Sequence, residues 1–316
     1  MSLLISQALI KPASRGRILP RNLVGLSICF SKIGSCESAL LDLFGETIVD
    51  DLASAGEGSG KVAVGEKAGD GVVSQKDASG KVRYELEDLV DVMRSFNRLG
   101  HVHEGLCSAV NTQLHLAVEG LTKGRKKVSV AAKQQQQQSQ HVQQQQQRQQ
   151  EKLQDTIIDA AQELAAARRL RPEVAGALAV ALGDQLETLK PRKLTMLLLA
   201  MSSQGVLRQP EVREFYQKVP GWLQKALDGE GRQELGQMSL AGLPVAVAGA
   251  IDQGVIAGSG PQLVVQLLER LEPLVGGLSR EQVLGLMKAC RTVGGEQGEQ
   301  MQQQLKAVAG QRGWVE

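Results

Sequence analysis

A 17-residue pattern recurs four times in this chain, each time an amphipathic run closed by glycine. The copies are 84–100 (YELEDLVDVMRSFNRLG), 189–205 (LKPRKLTMLLLAMSSQG), 238–254 (MSLAGLPVAVAGAIDQG) and 278–294 (LSREQVLGLMKACRTVG), aligned without gaps. Position 6 holds Leu89, Leu194, Leu243 and Val283; position 9 holds Val92, Leu197, Ala246 and Leu286. Position 10 holds Met93, Leu198, Val247 and Met287; position 13 holds Phe96, Met201, Ala250 and Cys290. The spacing i, i+3, i+4, i+7 puts all four on one helical face. Position 12 is always small (Ser95, Ala200, Gly249, Ala289), which predicts close approach of a neighbouring helix there.

The window ends carry their own signals. Ser279 is an N-cap with Gln282 as its capping-box partner, and Leu278 and Val283 form a hydrophobic staple. Pro191 suits a first helical turn, where its missing N–H costs nothing. Gly100, Gly205, Gly254 and Gly294 are expected to take the left-handed conformation that ends helices. A second helix can follow each glycine, over 106–121, 211–218, 261–275 and 299–308. A hairpin with a fixed apolar face cannot bury that face alone, and stacked neighbours can. The expected fold is all-α, helical hairpins stacked as an α-solenoid; a plain helical bundle sharing the same Leu/Ala pattern is the alternative.

Composition agrees with helix. Aromatics are only 3% of the chain, and the apolar content is mostly Leu, Val and Ala. The net charge of +2 lacks the strong basic excess of many nucleic-acid binders. No apolar run reaches the roughly 20 residues of a membrane span; the nearest is 195–201. Cys29, Cys36, Cys107 and Cys290 form no CxxC pair, which disfavours a zinc site and a secreted disulfide scaffold.

Residues 1–36 contain no Asp or Glu, but carry Lys11, Arg15, Arg17, Arg21 and Lys32 among several serines. That composition reads as an organelle transit peptide, to the mitochondrial matrix first and a plastid second, against an ordinary basic arm. Residues 37–80 read as a short helix (Leu40, Leu41, Phe44, Ile48) and a flexible Gly/Ser-rich linker. A helical-repeat block is expected over 81–133. A glutamine-rich tract follows over 134–150, broken by Ser139, His141, Val142 and Arg148, as exposed helix or disorder. A second helical-repeat domain is expected over 151–316. It holds 18 Lys+Arg against 19 Asp+Glu, while 81–133 holds nine against six.

The pattern L-x4-L-x2-L-[LM]-x-[AGS]-x4-G, with a second helix after it, resembles organellar helical-repeat proteins. The similarity is to heptatricopeptide and octotricopeptide repeats and the helical segments of RAP-domain proteins, and more distantly to pentatricopeptide repeats. It covers roughly residues 84–121 and 186–313. The Tyr-Asn pair usual in pentatricopeptide repeats is missing, so base-reading positions cannot be placed. The resemblance implies organellar RNA binding, or membership of a ribosome or other large assembly.

Other motifs carry less. GEGSGK at 56–61 is one residue short of a P-loop, and Val62 stands where Ser/Thr must bind magnesium; a solvated linker explains it. His101, His103 and Cys107 fit one helical turn, with His115 a distant fourth metal ligand. No catalytic constellation stands out, so no enzyme activity, cofactor or metal is expected. The candidate nucleic-acid contacts are Lys123, Arg125, Lys126 and Lys127 of the TKGRKK segment, with Arg192 and Lys193. A solvated basic turn explains TKGRKK as well, and the scarcity of aromatics disfavours base stacking. The function expected is a non-catalytic structural or RNA-associated component of a large mitochondrial assembly, the mitochondrial ribosome first. Its partners would be proteins of that complex and rRNA or mRNA. The alternative is an accessory subunit of a respiratory or ATP-synthase complex that touches no RNA.

Overall fold

A computed structural model of the protein describes residues 20–56, 84–131, 140–202, 204–228 and 235–314. Every regular element among them is helical. The chain divides into two compact units, Met1–Leu170 and Arg171–Glu316.

The N-terminal unit holds α1 (Pro20–Ile33), α2 (Ser38–Gly56), α3 (Leu86–Arg98), α4 (Glu104–Ala131) and α5 (Gln140–Ala166). Helices alternate in two rows: α1 packs on α3 and α3 on α5, while α2 packs on α4. The α3–α5 contact is tied by ions. Arg94 bonds Asp91 at 3.0 Å in its own helix and Glu163 at 2.9 Å in α5, with Asp159 at 3.5 Å. The Asn97 amide donates to the Glu163 carboxylate and to its backbone carbonyl, both at 2.9 Å. The first window lies on α3, with its N-terminus closed by a Glu85–Asp88 capping box.

The C-terminal unit holds α6 (Pro172–Gly183), α7 (Pro191–Met201), a single turn α8 (Gln204–Leu207), α9 (Pro210–Leu227), α10 (Gln237–Asp252) and α11 (Gly260–Leu271). A 3₁₀ turn (Glu272–Gly277), α12 (Arg280–Val293) and α13 (Gly295–Gln311) complete it. The other three windows lie on α7, α10 and α12, which pack side by side; α6, α9, α11 and α13 form a second row. Thus α10–α11 and α12–α13 are helical hairpins. Along α10 and α12, Met238 meets Gln282, Val245 lies against Gly285 and Asp252 accepts from the Thr292 hydroxyl at 3.1 Å. Residue numbers rise together on both helices, so the two run parallel.

The apolar face predicted for the windows is the core. Every residue at positions 6, 9, 10 and 13 is buried in all four copies. Ser279 and Gln282 exchange both capping-box bonds, and α7 begins at Pro191. Gly100, Gly254 and Gly294 have φ of 69°, 66° and 63°. Gly205 departs from the pattern: it lies inside α8, because α7 ends earlier, at Ser202.

The structure adds to two boundaries. Within 1–36, residues 1–19 lie outside those described, and α1 is part of the core, with Leu23, Ser27 and Phe30 buried. The 134–150 segment does not separate two blocks. Residues 140–150 begin α5, whose second half buries Ile157, Ile158 and Leu164 in the N-terminal unit, so the division falls at 170/171. A continuous helix carries the chain from tract to core without a break. The 57–83 segment, with most of the GEGSGK motif and the linker, lies outside the described residues.

After α5 the chain turns through Arg168 at φ 58°, where a side chain is strained and glycine is not. Arg168→Gly should stabilise the protein by about 0.5 kcal/mol, the relief of strain exceeding the added backbone entropy. Chemical denaturation would check the sign.

Candidate interaction surface

The sequence candidates fall in both units, Lys123, Arg125, Lys126 and Lys127 in the N-terminal one and Arg192 and Lys193 in the C-terminal one. Arg192 and Lys193 sit in the first turn of α7, Arg192 exposed and Lys193 half-buried. The backbone of Lys123, Arg125, Lys126 and Lys127 continues α4, and their side chains lie outside the described residues. Among the described residues no group of three His, Cys, Asp or Glu is placed to hold a metal, and no helix is long and apolar enough to cross a membrane.

The histidines and cysteines have structural places. His103 Nδ1 accepts the Leu106 N–H at 3.0 Å, capping α4, and its ring lies where a Cβ on Gly45 would stand, 2.5 Å away. His101 faces Asp42 at 3.1 Å and packs edge-on to Phe96. His115 pairs with Glu119 one turn away. Cys107 and Cys290 are buried, which pushes both thiols up, Cys290 to about 11. Reaction requires the thiolate, so N-ethylmaleimide at neutral pH should modify the exposed Cys29 and leave Cys107 and Cys290 unmodified in the folded protein. Peptide mass spectrometry reads the pattern directly.

Asn111 is a hidden tie. It is fully buried, and its amide donates at 2.9 Å to the carbonyls of Cys107 and Arg169, joining α4 to the turn after α5. Asn111→Ala should cost about 2 kcal/mol, since both bonds and their packing go while the Arg169 carbonyl loses a partner. Thermal melting of the variant tests this. Tyr216 plays a similar part, donating from α9 to the Leu198 carbonyl of α7, and burial pushes its hydroxyl pKa up.

One groove of about 160 Å³ lies between α11 and α13. Amide–carboxylate bonds cross it, Gln297 to Glu269 at 2.8 Å and Gln304 to Glu272 at 2.6 Å. It is smaller than sites that enclose ligands of several hundred Å³.

The broader feature is helix α10, which carries no charge from Gln237 to Ile251. Away from the core Met238 and Asp252 are exposed, while Gly242, Val245 and Gly249 are half-buried between α7 and α12. Met238 is 52% exposed and Leu199 37%. The row packs closely at Gly242, where a Cβ would run into Thr195, and at Gly285, where it would lie 3.2 Å from Val245. At Gly249 nothing stands within 4 Å. In that copy the small residue at position 12 leaves open space rather than admitting a neighbour. An uncharged 15-residue run was the visible signal for this surface; the repeat alignment looked past it to the buried face.

Comparison with protein families, curated proteins and solved structures found no match for this chain.

Proposed function

We propose that the protein is a non-catalytic helical-repeat scaffold, a structural component of a large mitochondrial assembly. The observation that carries the proposal is the alternate packing of helices in two rows within each unit, with the windows on one row. That is how stacked hairpins bury faces they cannot bury alone, and such stacks offer extended surfaces to partners. The solenoid reading and the likeness to organellar repeat proteins rest on this alternation and on the shared buried face. The acid-free N-terminus supports the mitochondrial matrix, and the ribosome is the first assembly to test.

The second reading, an accessory subunit of a respiratory or ATP-synthase complex without RNA contact, draws support from the uncharged α10 face. Exposed aliphatic residues suit protein partners, and phosphates need clustered cations. One experiment addresses both. The imported protein is sedimented from organelle lysate after ultraviolet crosslinking to RNA. Ribosomal co-sedimentation with or without crosslinked RNA supports the first reading. Migration with respiratory complexes and no RNA supports the second, and a free monomer at the top of the gradient overturns both.

A further inference from the structure

We infer that the basic stretch of α4, carried at one end of the α4–α5 pair, is a docking site for the phosphate backbone of a double-stranded nucleic acid. The inference rests on the ribosomal form of the scaffold reading and names the chemistry this site meets in such an assembly.

The first observation is how charge is distributed along the chain. No Asp or Glu occurs between Glu119 and Glu151, while Lys123, Arg125, Lys126, Lys127, Lys133 and Arg148 all fall there. Take those six from the chain's 36 Lys and Arg, and the remainder has four fewer cations than its 34 acids. The basic excess of the whole protein therefore sits in one stretch.

The second is placement. Helices α4 and α5 pack together. The Asn111 amide bond to the Arg169 carbonyl, at 2.9 Å, and the Glu104–Arg169 ion pair hold the start of α4 beside the end of α5. The two helices are therefore antiparallel, and the later turns of α4 lie at the same end as the earlier turns of α5. Among the described residues the core face of α4 stops at Leu121 and that of α5 begins at Ile157. Helix α4 continues to Ala131, and α5 arrives from Gln140 with Arg148 and the glutamines beside it exposed. At about 100° per residue, the positions of Lys123, Lys126 and Lys127 fall in one arc of about 100°. That arc is opposite the buried stripe of Val110, Leu114, Val118 and Leu121. Like charges at i, i+3 and i, i+4 weaken a helix, and a polyanion along that face removes the repulsion.

The third is what the stretch lacks. No aromatic residue occurs between Phe96 and Phe215, so there is no platform for unpaired bases. No Leu, Ile, Met or aromatic occurs between Leu121 and Leu153, so there is no apolar face to enter a lipid surface. Lys, Arg and Gln all bond phosphate and sugar oxygens. A duplex presents phosphates densely, one charge per about 1.7 Å of its axis, and asks for no stacking. The other cationic candidates, Arg192 and Lys193, offer two charges, and Lys193 is half-buried.

The test uses the full chain in anisotropy titrations. The probes are a 20-base-pair RNA duplex, the DNA duplex of the same sequence, a single-stranded uridine RNA and polyglutamate of equal charge; anionic vesicles are tested by co-flotation. A duplex should bind at least tenfold tighter than the single strand or polyglutamate, and vesicles should not carry the protein. Either duplex supports the site, and the tighter of the two identifies its source. Log affinity should fall with log salt at a slope of −3 or steeper, since each phosphate contact contributes about 0.9.

Joint replacement Lys123→Gln, Arg125→Gln, Lys126→Gln and Lys127→Gln should weaken duplex binding at least thirtyfold and flatten that slope by about three. Glutamine forms helix about as well as Lys and Arg, so the melting temperature should not move. Lys123→Arg, Lys126→Arg and Lys127→Arg together keep the charge and should bind as the parent does, while Arg192→Gln with Lys193→Gln should change affinity less than twofold. Undiminished affinity in the four-glutamine variant overturns the site. So does a single strand, polyglutamate or vesicle bound as tightly as the duplexes. These titrations use the purified chain, so a failure here leaves the sedimentation outcome as it stands, and a protein absent from the ribosomal fraction can still bind the duplex.

Discussion

A chain that begins at residue 37 will melt far below one that begins at residue 20. The two differ by α1 and the short turn after it. Leu23, Val24 and Phe30 on α1 are buried, and the helix packs along α3. Each such side chain contributes about 1.5–3 kcal/mol when buried, so the loss is of order 6 kcal/mol. That is comparable with the whole stability of a small domain. It also opens one face of α3 to water. Circular dichroism melts of the two truncations make the comparison; equal melting temperatures would show that α1 contributes nothing. Removal of the residues ahead of Pro20, by contrast, should leave the described part of the N-terminal unit whole.

Glycine-to-alanine changes at Gly242 and Gly249 will move stability in opposite directions. Both lie in the interior of α10, where helix propensity alone favours alanine by up to about 1 kcal/mol. At Gly249 nothing opposes that gain, since the added methyl meets no atom within 4 Å. At Gly242 it collides with the Thr195 methyl and crowds Leu199 Cδ1 at 3.2 Å. Thr195 cannot swing aside cheaply. It is buried and β-branched, and its hydroxyl donates to the Pro191 carbonyl at 2.7 Å. Overpacking of this kind costs about 1–3 kcal/mol, so Gly242→Ala should lose about 1–2 kcal/mol net while Gly249→Ala gains about 0.5. Each kcal/mol shifts the midpoint of a unit this size by about 3 °C. A Gly242→Ala melt at or above the parent's would mean that α7 and α10 are not packed as described.

The buried face was legible in the sequence because periodicity is a local signal. Leu89, Leu194, Leu243 and Val283 fall at one window position, and all are buried for the same reason. The caps at Ser279 and Pro191 were legible too, since each depends on a few neighbouring residues. Contacts between distant segments were not. Nothing near Arg94 in sequence points to Glu163, and nothing near Asn111 points to the Arg169 carbonyl. Helix α6 lies in the stretch expected to be helical but falls in no repeat window, because PEVAGALAVALG is apolar nearly all round and shows no stripe to align. Position 12 is buried at Ser95, Ala200 and Ala289, as its small size suggested, but Gly249 has open space beside it and Gly242 takes the close approach of α7, because that contact is set by residues on both helices.

Helix α5 has a consequence for how this gene can vary. Gln144, Gln145, Gln147, Gln149 and Gln150 are exposed on its leading half, and the core-facing residues begin only at Ile157. Adding one residue to a helix rotates everything beyond it by about 100° relative to what came before. Here the core-anchored part is the trailing half, so an extra or missing glutamine turns the exposed leading half and leaves Ile157, Ile158 and Leu164 in place. Alleles with longer or shorter tracts should therefore be nearly equal in folding.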